Sequence, residues 1–199
     1  LGVINLALAW TFFKQKQANR NFIYLLIGLT LTFISLAAPV QLKGNHITLF
    51  WAAEAVVLFW LYQRSRITLL KIASLIIVLL MFISLLMDWL QLYSGIQHIV
   101  TILANKGFMT TLVCGSALLI FYNMMRKEAD TLYLPGLENR LVRNFLLSCG
   151  ILLIYAAGAW EIYYQFLSRL PGTAVYTLYL QLYTFAFIVL ILQLFKRSA

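Results

Sequence analysis

The sequence predicts an all-α fold, a polytopic transmembrane bundle of about seven spanning helices, on three observations: its hydrophobic share, the length of its apolar runs, and the position of its basic residues. Of 199 residues, 63% are hydrophobic and 11% charged, and the mean hydropathy is +0.88. A soluble domain carries about a quarter charged residues. The apolar runs approach 20 residues, the length that crosses a hydrocarbon core of roughly 30 Å at 1.5 Å per residue. The formal charge of +9 is carried in short clusters between those runs rather than on one continuous patch, which argues against a nucleic-acid partner and for membrane topology.

Taken in order, the first run covers residues 1–13 and stops at Lys14, too short to span comfortably. The expectation is a piece of a longer chain, because a signal peptide would need a basic leader and a small-residue cleavage site that this segment lacks. The following runs are residues 21–38, 47–62, 67–89, 107–125, 144–168 and 173–195. Pro39, Pro135 and Pro171 are placed in the connections, beside Gly44, Gly136 and Gly172, where residues that break helices belong. No separate soluble domain or fixed-period repeat appears, so residues 1–199 are expected to form a single transmembrane helical domain.

Segment 91–106 is too polar to span and reads as an outer loop or a short interfacial helix, with Asp88, Gln97, His98 and Asn105 on or beside it. Tyr133 and Leu134, in the loop between the fifth and sixth runs, are expected in a solvated loop or at the headgroups.

Alternate connections carry unequal charge. Lys14, Lys16, Arg20, Arg64, Arg66, Lys71, Arg126, Lys127, Arg140, Arg143, Lys196 and Arg197 fall on one side, and Lys43, Lys106 and Arg169 on the other. Cytoplasmic loops hold the excess of Lys and Arg. That bias predicts a bacterial inner-membrane protein with a cytoplasmic C-terminus. Cys114 and Cys149 fall at different depths of adjacent spans, about 15 Å apart by helical rise, and are not expected to pair.

An ionisable group inside a bilayer is costly, on the order of 2.5 to 3.5 kcal/mol at a helix centre, so it marks a candidate site. Glu54 and Glu161 are the two such groups. Both count to roughly 10 to 15 Å below the outer surface, a depth shared by Thr30 and Gln181. A polar pocket of Glu54, Glu161, Gln181 and Thr30 is the expected intramembrane site. Two roles fit the acids. Either they are hydrogen-bonded structural pins, flanked by small residues such as Ala53 and Gly158 that allow close helix contact, or they exchange protons or cations during transport.

Lys71 is expected to snorkel to the interface, with a reach toward Glu54 as the alternative. Tyr176, Tyr179, Tyr183 and Phe187 recur at spacings of three and four, a stripe that suits helix packing better than ligand stacking. Trp51, Trp89, Tyr93, Trp160, Trp60 and Tyr62 suit interfacial belts. No catalytic signature occurs, and His46 and His98 lack metal-ligand spacing. No catalytic residue, metal or other cofactor is expected. An outer-face enzyme acting on a lipid-linked substrate would have Lys43, His46, Asp88 and His98 to work with.

The stretch Ala38-Pro39-Val-Gln41-Leu-Lys-Gly44, followed by Trp51-Ala-Ala-Glu54-Ala, resembles the bacterial multi-pass family called domain of unknown function 2339. Asn105-Lys-Gly-Phe108 is similar to that family's Asn-x-x-Phe segment. The resemblance covers the second to fifth runs best. It implies a larger parent protein with more spans, and carries Pro39, Gln41, Gly44, Trp51, Glu54, Asn105 and Phe108 over as motif residues without a reaction. The functional expectation is therefore movement of a small solute or ion, with a scaffold subunit of an envelope complex as the alternative and the outer-face enzyme third. Membrane lipids and other membrane subunits are the expected partners.

Overall fold

The computed structural model describes the backbone of residues 20–93, 102, 105–128, 132–134, 137–169 and 175–198. The expected first span, the loop positions Gln97 and His98, and Pro135, Gly136, Pro171 and Gly172 lie outside the described residues. Among the described residues six helices follow in order: α1 (Arg20–Gln41), α2 (Asn45–Ser65), α3 (Thr68–Tyr93), α4 (Lys106–Met125), α5 (Asn139–Arg169) and α6 (Val175–Ser198). Between α4 and α5, β1 (Leu132–Leu134) pairs antiparallel with β2 (Leu137–Glu138), where the sequence suggested an open loop.

Four described helical segments have the length and composition to cross a membrane: Thr68–Leu92, Lys106–Met125, Asn139–Arg169 and Val175–Lys196, each containing an 18-residue stretch whose mean hydropathy is 2.8, 1.6, 1.8 and 2.0 respectively. The chain is thus helical and apolar in the manner of a membrane protein. α2 has 21 residues, yet it mixes His46, Glu54, Gln63 and Arg64 into its apolar run. α5, at 31 residues, is about 46 Å long by helical rise and outreaches the hydrocarbon core. Its first five residues accordingly carry Arg140 and Arg143.

The helix ends follow from local chemistry. Pro39 does not sit in the connection, as the sequence suggested, but inside the last turn of α1. Proline's fixed φ is helical; the ring removes one hydrogen bond, that to the Ser35 carbonyl, and the helix closes two residues later. α2 begins after Gly44, whose φ of +56° and ψ of −137° lie where side chains are strained, and whose carbonyl accepts from Ile47 N at 3.1 Å. A Cβ on Gly44 would meet nothing within 4 Å, so the expected loss for Gly44→Ala, about 1 to 2 kcal/mol in an unfolding titration, is wholly backbone strain. Gly44→Asn should recover part of it, since asparagine tolerates positive φ better than alanine.

Cα packing divides the chain into two compact units, Leu1–Phe82 and Ile83–Ala199, with the division inside α3. In the first unit, α1 packs on α2. Its buried residues include Ala52, Ala55, Leu58 and Phe59 of α2, with Leu70, Ile77, Val78 and Met81 of α3. The spacings of three, four and seven mark one face of each helix.

In the second unit, the buried stripe of α5 runs Val142, Leu146, Gly150, Leu153, Ala157, Glu161 and Tyr164, again at threes and fours. It meets Cys114, Ala117, Leu118, Phe121 and Met125 of α4. Gly115 and Gly150 let the two backbones approach. Cys114 and Cys149 are both free thiols. Trp89 of α3 donates its Nε1 proton to Thr111 Oγ1 of α4 at 2.9 Å, and its ring lies 6.2 Å from that of Trp160. Trp89→Phe keeps the ring and deletes the donor, so thermal unfolding should register a small loss of roughly 0.5 to 1.5 kcal/mol.

α6 lies along α5 through an aromatic seam. Tyr176 meets Tyr163, Tyr179 meets Phe166, and Tyr183 and Phe187 both meet Tyr155, with ring centroids 4.8 to 5.6 Å apart. The tyrosine stripe is therefore a packing surface. The exposed surface of α6 is mostly apolar, including Leu178, Leu182, Phe185 and Leu192, and suits hydrocarbon, with Thr177, Gln181 and Gln193 among its polar exceptions.

Candidate functional site

Each buried acid is held in its own unit, and the two differ in how they are satisfied. Glu161, 6% exposed, projects from α5 toward the start of α4. There Asn105 is the N-cap: its Oδ1 accepts from the Phe108 backbone N–H at 2.8 Å, which frees its Nδ2 to donate to Glu161 Oε2. The other oxygen, Oε1, accepts from Gln165 Nε2 at 3.0 Å. Gln165 Oε1 in turn accepts from Arg169 Nε at 3.1 Å. Glu161, Gln165 and Arg169 recur every four residues, so they line one face of α5 from the buried acid to the exposed guanidinium at its end. Both oxygens of Glu161 face N–H donors, the partner set that suits an ionised carboxylate. The glutamine amide passes the guanidinium's polarity inward.

Glu54, 8% exposed on α2, has a sparser environment. Ser35 of α1 donates to its Oε1 at 2.6 Å. Its Oε2 is buried with no hydrogen-bond partner among the described residues, and so is Trp51 Nε1, one turn earlier on the same helix. A carboxyl oxygen in that position has room in its chemistry for its own proton or for one donor from a ligand.

Within each unit, the other residues expected at the polar pocket stand as follows. Thr30 is buried on α1, but the Glu54 bond goes to Ser35 instead. Thr30 and Ser35 are five residues apart, about 140° around the helix, so they lie on different faces of α1, and the face that carries Ser35 is the one that meets Glu54. Gln181 is exposed on α6 and makes no hydrogen bond to Glu161 among the described residues. Lys71 does not reach Glu54; its Nζ lies 5.5 Å over the ring of Tyr62, eight residues further along α2.

Of the positions on which the family resemblance rests, Pro39 and Gln41 close α1, Gly44 supplies the positive-φ turn, Trp51 and Glu54 form the sparsely satisfied face, and Asn105 with Phe108 makes the cap of α4. Lys43 and His46 are exposed, and Asp88 is half-buried on α3. Among the described residues no three His, Cys, Asp or Glu side chains gather within reach of one metal ion.

Ser35, Gln165 and Arg169 were not singled out from the sequence. The spacing of Glu161, Gln165 and Arg169 was visible there as an i, i+4, i+8 series, whereas the Ser35 contact depends on the register of a helix pair. An open groove of about 330 Å³ lies between α5 and α6, lined by Tyr155, Ala159, Trp160, Tyr163 and Leu180. It holds no acid, base or cation. No family model, curated protein or solved structure matches the chain.

Proposed function

We propose that the protein moves a small solute or ion across a bacterial inner membrane, with Glu54 as the group that takes up and releases a proton or cation. The observation that carries this reading is the asymmetry of the two acids: Glu161 has an N–H donor on each oxygen, whereas Glu54 keeps one buried oxygen without a partner among the described residues. A group that must exchange a proton needs such a position. With 8% exposure, Glu54 is closed to water in this conformation, which the reading takes as an occluded state.

The same reading places the basic connections and the C-terminus in the cytoplasm and counts α1, α2 and the segment before α1 among about seven spans. It also retains the likeness to the domain of unknown function 2339 family as its family assignment.

The test is proton flux in proteoliposomes loaded with a pH-sensitive dye. Glu54→Gln should reduce flux at least tenfold while the protein stays folded, and Ser35→Ala should alter its pH dependence with a smaller loss. Flux that survives Glu54→Gln at the wild-type rate rules Glu54 out as the exchanging group.

The alternative is a scaffold subunit of an envelope complex. It is favoured by Glu161, which is buried and whose two oxygens each accept from an amide donor, as in a structural pin. A wild-type protein without flux, purified in a stable stoichiometric assembly, would support this reading.

A further inference from the structure

We propose that Trp51 Nε1 and Glu54 Oε2 hold a single water molecule between them, and that this water, rather than a metal cation, is the partner with which Glu54 exchanges a proton. The exchange rests on the transport reading above; the water site does not.

Two buried polar atoms of α2 stand without partners. Trp51 Nε1 and Glu54 Oε2 are both sealed from solvent and bond to nothing among the described residues. The other oxygen of the same carboxyl group is taken, since Ser35 donates to it at 2.6 Å. The corresponding groups elsewhere are paired: Trp89 donates its indole proton to Thr111, and both oxygens of Glu161 accept from amides. Buried polar atoms are nearly always bonded, to protein or to ordered water. Trp51 and Glu54 lie three residues apart and share a face of α2, so one small molecule can serve both. Cβ atoms at that spacing are about 5 to 6 Å apart, an interval that a water bonded to each side at about 2.9 Å spans.

Donor and acceptor types then select the ligand. An indole N–H only donates, so whatever lies against it must bring a lone pair. A metal cation brings none. Hard cations gather about six oxygen ligands, and here the positive end of an N–H dipole would face the ion instead. An ammonium ion carries only donors and fails in the same way. Water accepts from Trp51 in either state of the acid: it donates to the ionised carboxylate and accepts from the protonated carboxyl. The proton step balances. The Oε2–H bond breaks, a new O–H bond forms on the water, and a carboxylate and a hydronium ion result. Hydronium is a poor acceptor for the indole N–H, so it passes the proton on to bulk water when the site opens, and uptake is the reverse.

Indole ¹⁵N–¹H spectra of the full chain in lipid nanodiscs test the site, with the Trp51 resonance assigned by its loss in Trp51→Phe. That resonance should show a cross-peak to a long-lived water, and Glu54→Leu should remove the cross-peak. Proton flux in proteoliposomes identifies the ion. It should be equal with sodium, potassium or a bulky organic cation as the added salt. Trp51→Phe keeps the ring and deletes the donor, and should lower flux about fivefold, the worth of one neutral hydrogen bond.

A Trp51 indole without the water cross-peak overturns the proposal whatever the flux, and so does a cross-peak that survives Glu54→Leu unchanged. Flux that requires sodium or potassium overturns the proton assignment, as does flux at the wild-type rate in Trp51→Phe. Flux that survives Glu54→Gln, with the cross-peak present and lost in Glu54→Leu, overturns the transport reading instead and leaves the water as a structural bridge between the two side chains.

Discussion

Glu161→Leu should be among the most damaging single substitutions in the chain, lowering stability in an unfolding titration by about 3 kcal/mol or more, since two buried amide donors lose their acceptor at roughly 1 to 3 kcal/mol each. Hydrogen bonds within bilayers are often worth less than this, because the unfolded helices find other partners. Here the compensating moves are blocked. Asn105 cannot turn its amide over without withdrawing Oδ1 from the Phe108 N–H and uncapping α4. Gln165 cannot turn without withdrawing Oε1 from Arg169. Glu161→Gln is therefore not benign either. It sets an NH₂ group against a fixed N–H donor and should cost about 1 to 3 kcal/mol, with α4 fraying at its start. A double-mutant cycle of Glu161→Leu with Gln165→Leu should give a coupling of at least 0.5 kcal/mol. Additive losses would mean that the two side chains act separately.

Most of the helical plan was legible because hydropathy and helical rise are local quantities. The predicted spans 67–89 and 107–125 lie within or across α3 and α4, and the ends differ by a few residues. The exceptions have identifiable causes. Pro39 looks like a stop in the sequence, yet a proline in a last turn sacrifices one hydrogen bond and leaves the helix to run on to Gln41. The sequence places the start of the sixth run at residue 144, because Arg140 and Arg143 look like loop; in α5 they extend beyond the apolar length.

The acids could be found from the sequence, since a carboxyl group in an apolar run is conspicuous in one dimension. Their partners could not. Whether Thr30 or Ser35 meets Glu54 depends on which face of α1 is turned to α2, and depth alone ignores which face of a helix a residue occupies. Asn105 was noticed as part of a motif, but its dual use, Oδ1 for the cap and Nδ2 for Glu161, depends on α4 and α5 running antiparallel side by side. Short pairing between Leu132–Leu134 and Leu137–Glu138 escaped for the opposite reason, as five residues carry too little pattern to register.

Gly115→Leu should approach the Glu161 effect by a different physical route, steric separation of α4 from α5. A Cβ on Gly115 would lie 3.2 Å from both the Gly150 carbonyl oxygen and the Ile154 backbone nitrogen, and 2.8 Å from Ile154 Cγ1. Two of those neighbours are backbone and cannot swing aside. At Gly150 the closest atoms belong to the flexible end of Leu119, with the Gly115 carbonyl oxygen at 3.3 Å, so Gly150→Ala should be milder than Gly115→Ala. Gly158 is a third case: its added Cβ would strike the ring of Tyr183, with Cε2 at 2.8 Å, and a tyrosine can rotate away at the expense of its stack on Tyr155. Overpacking typically costs 1 to 3 kcal/mol, and a leucine at Gly115 belongs at or above the top of that range. The crossing also bears on the acid. Gly115 faces Gly150, and Asn105, ten residues before Gly115, bonds Glu161, eleven after Gly150, so both contacts lie on one antiparallel seam about 15 Å apart. If the seam opens as a unit, Gly115→Leu already breaks the Asn105–Glu161 bond. Adding Glu161→Leu should then cost at least 1 kcal/mol less than it does in the wild type, whereas full additivity would show that the two ends of the seam open independently.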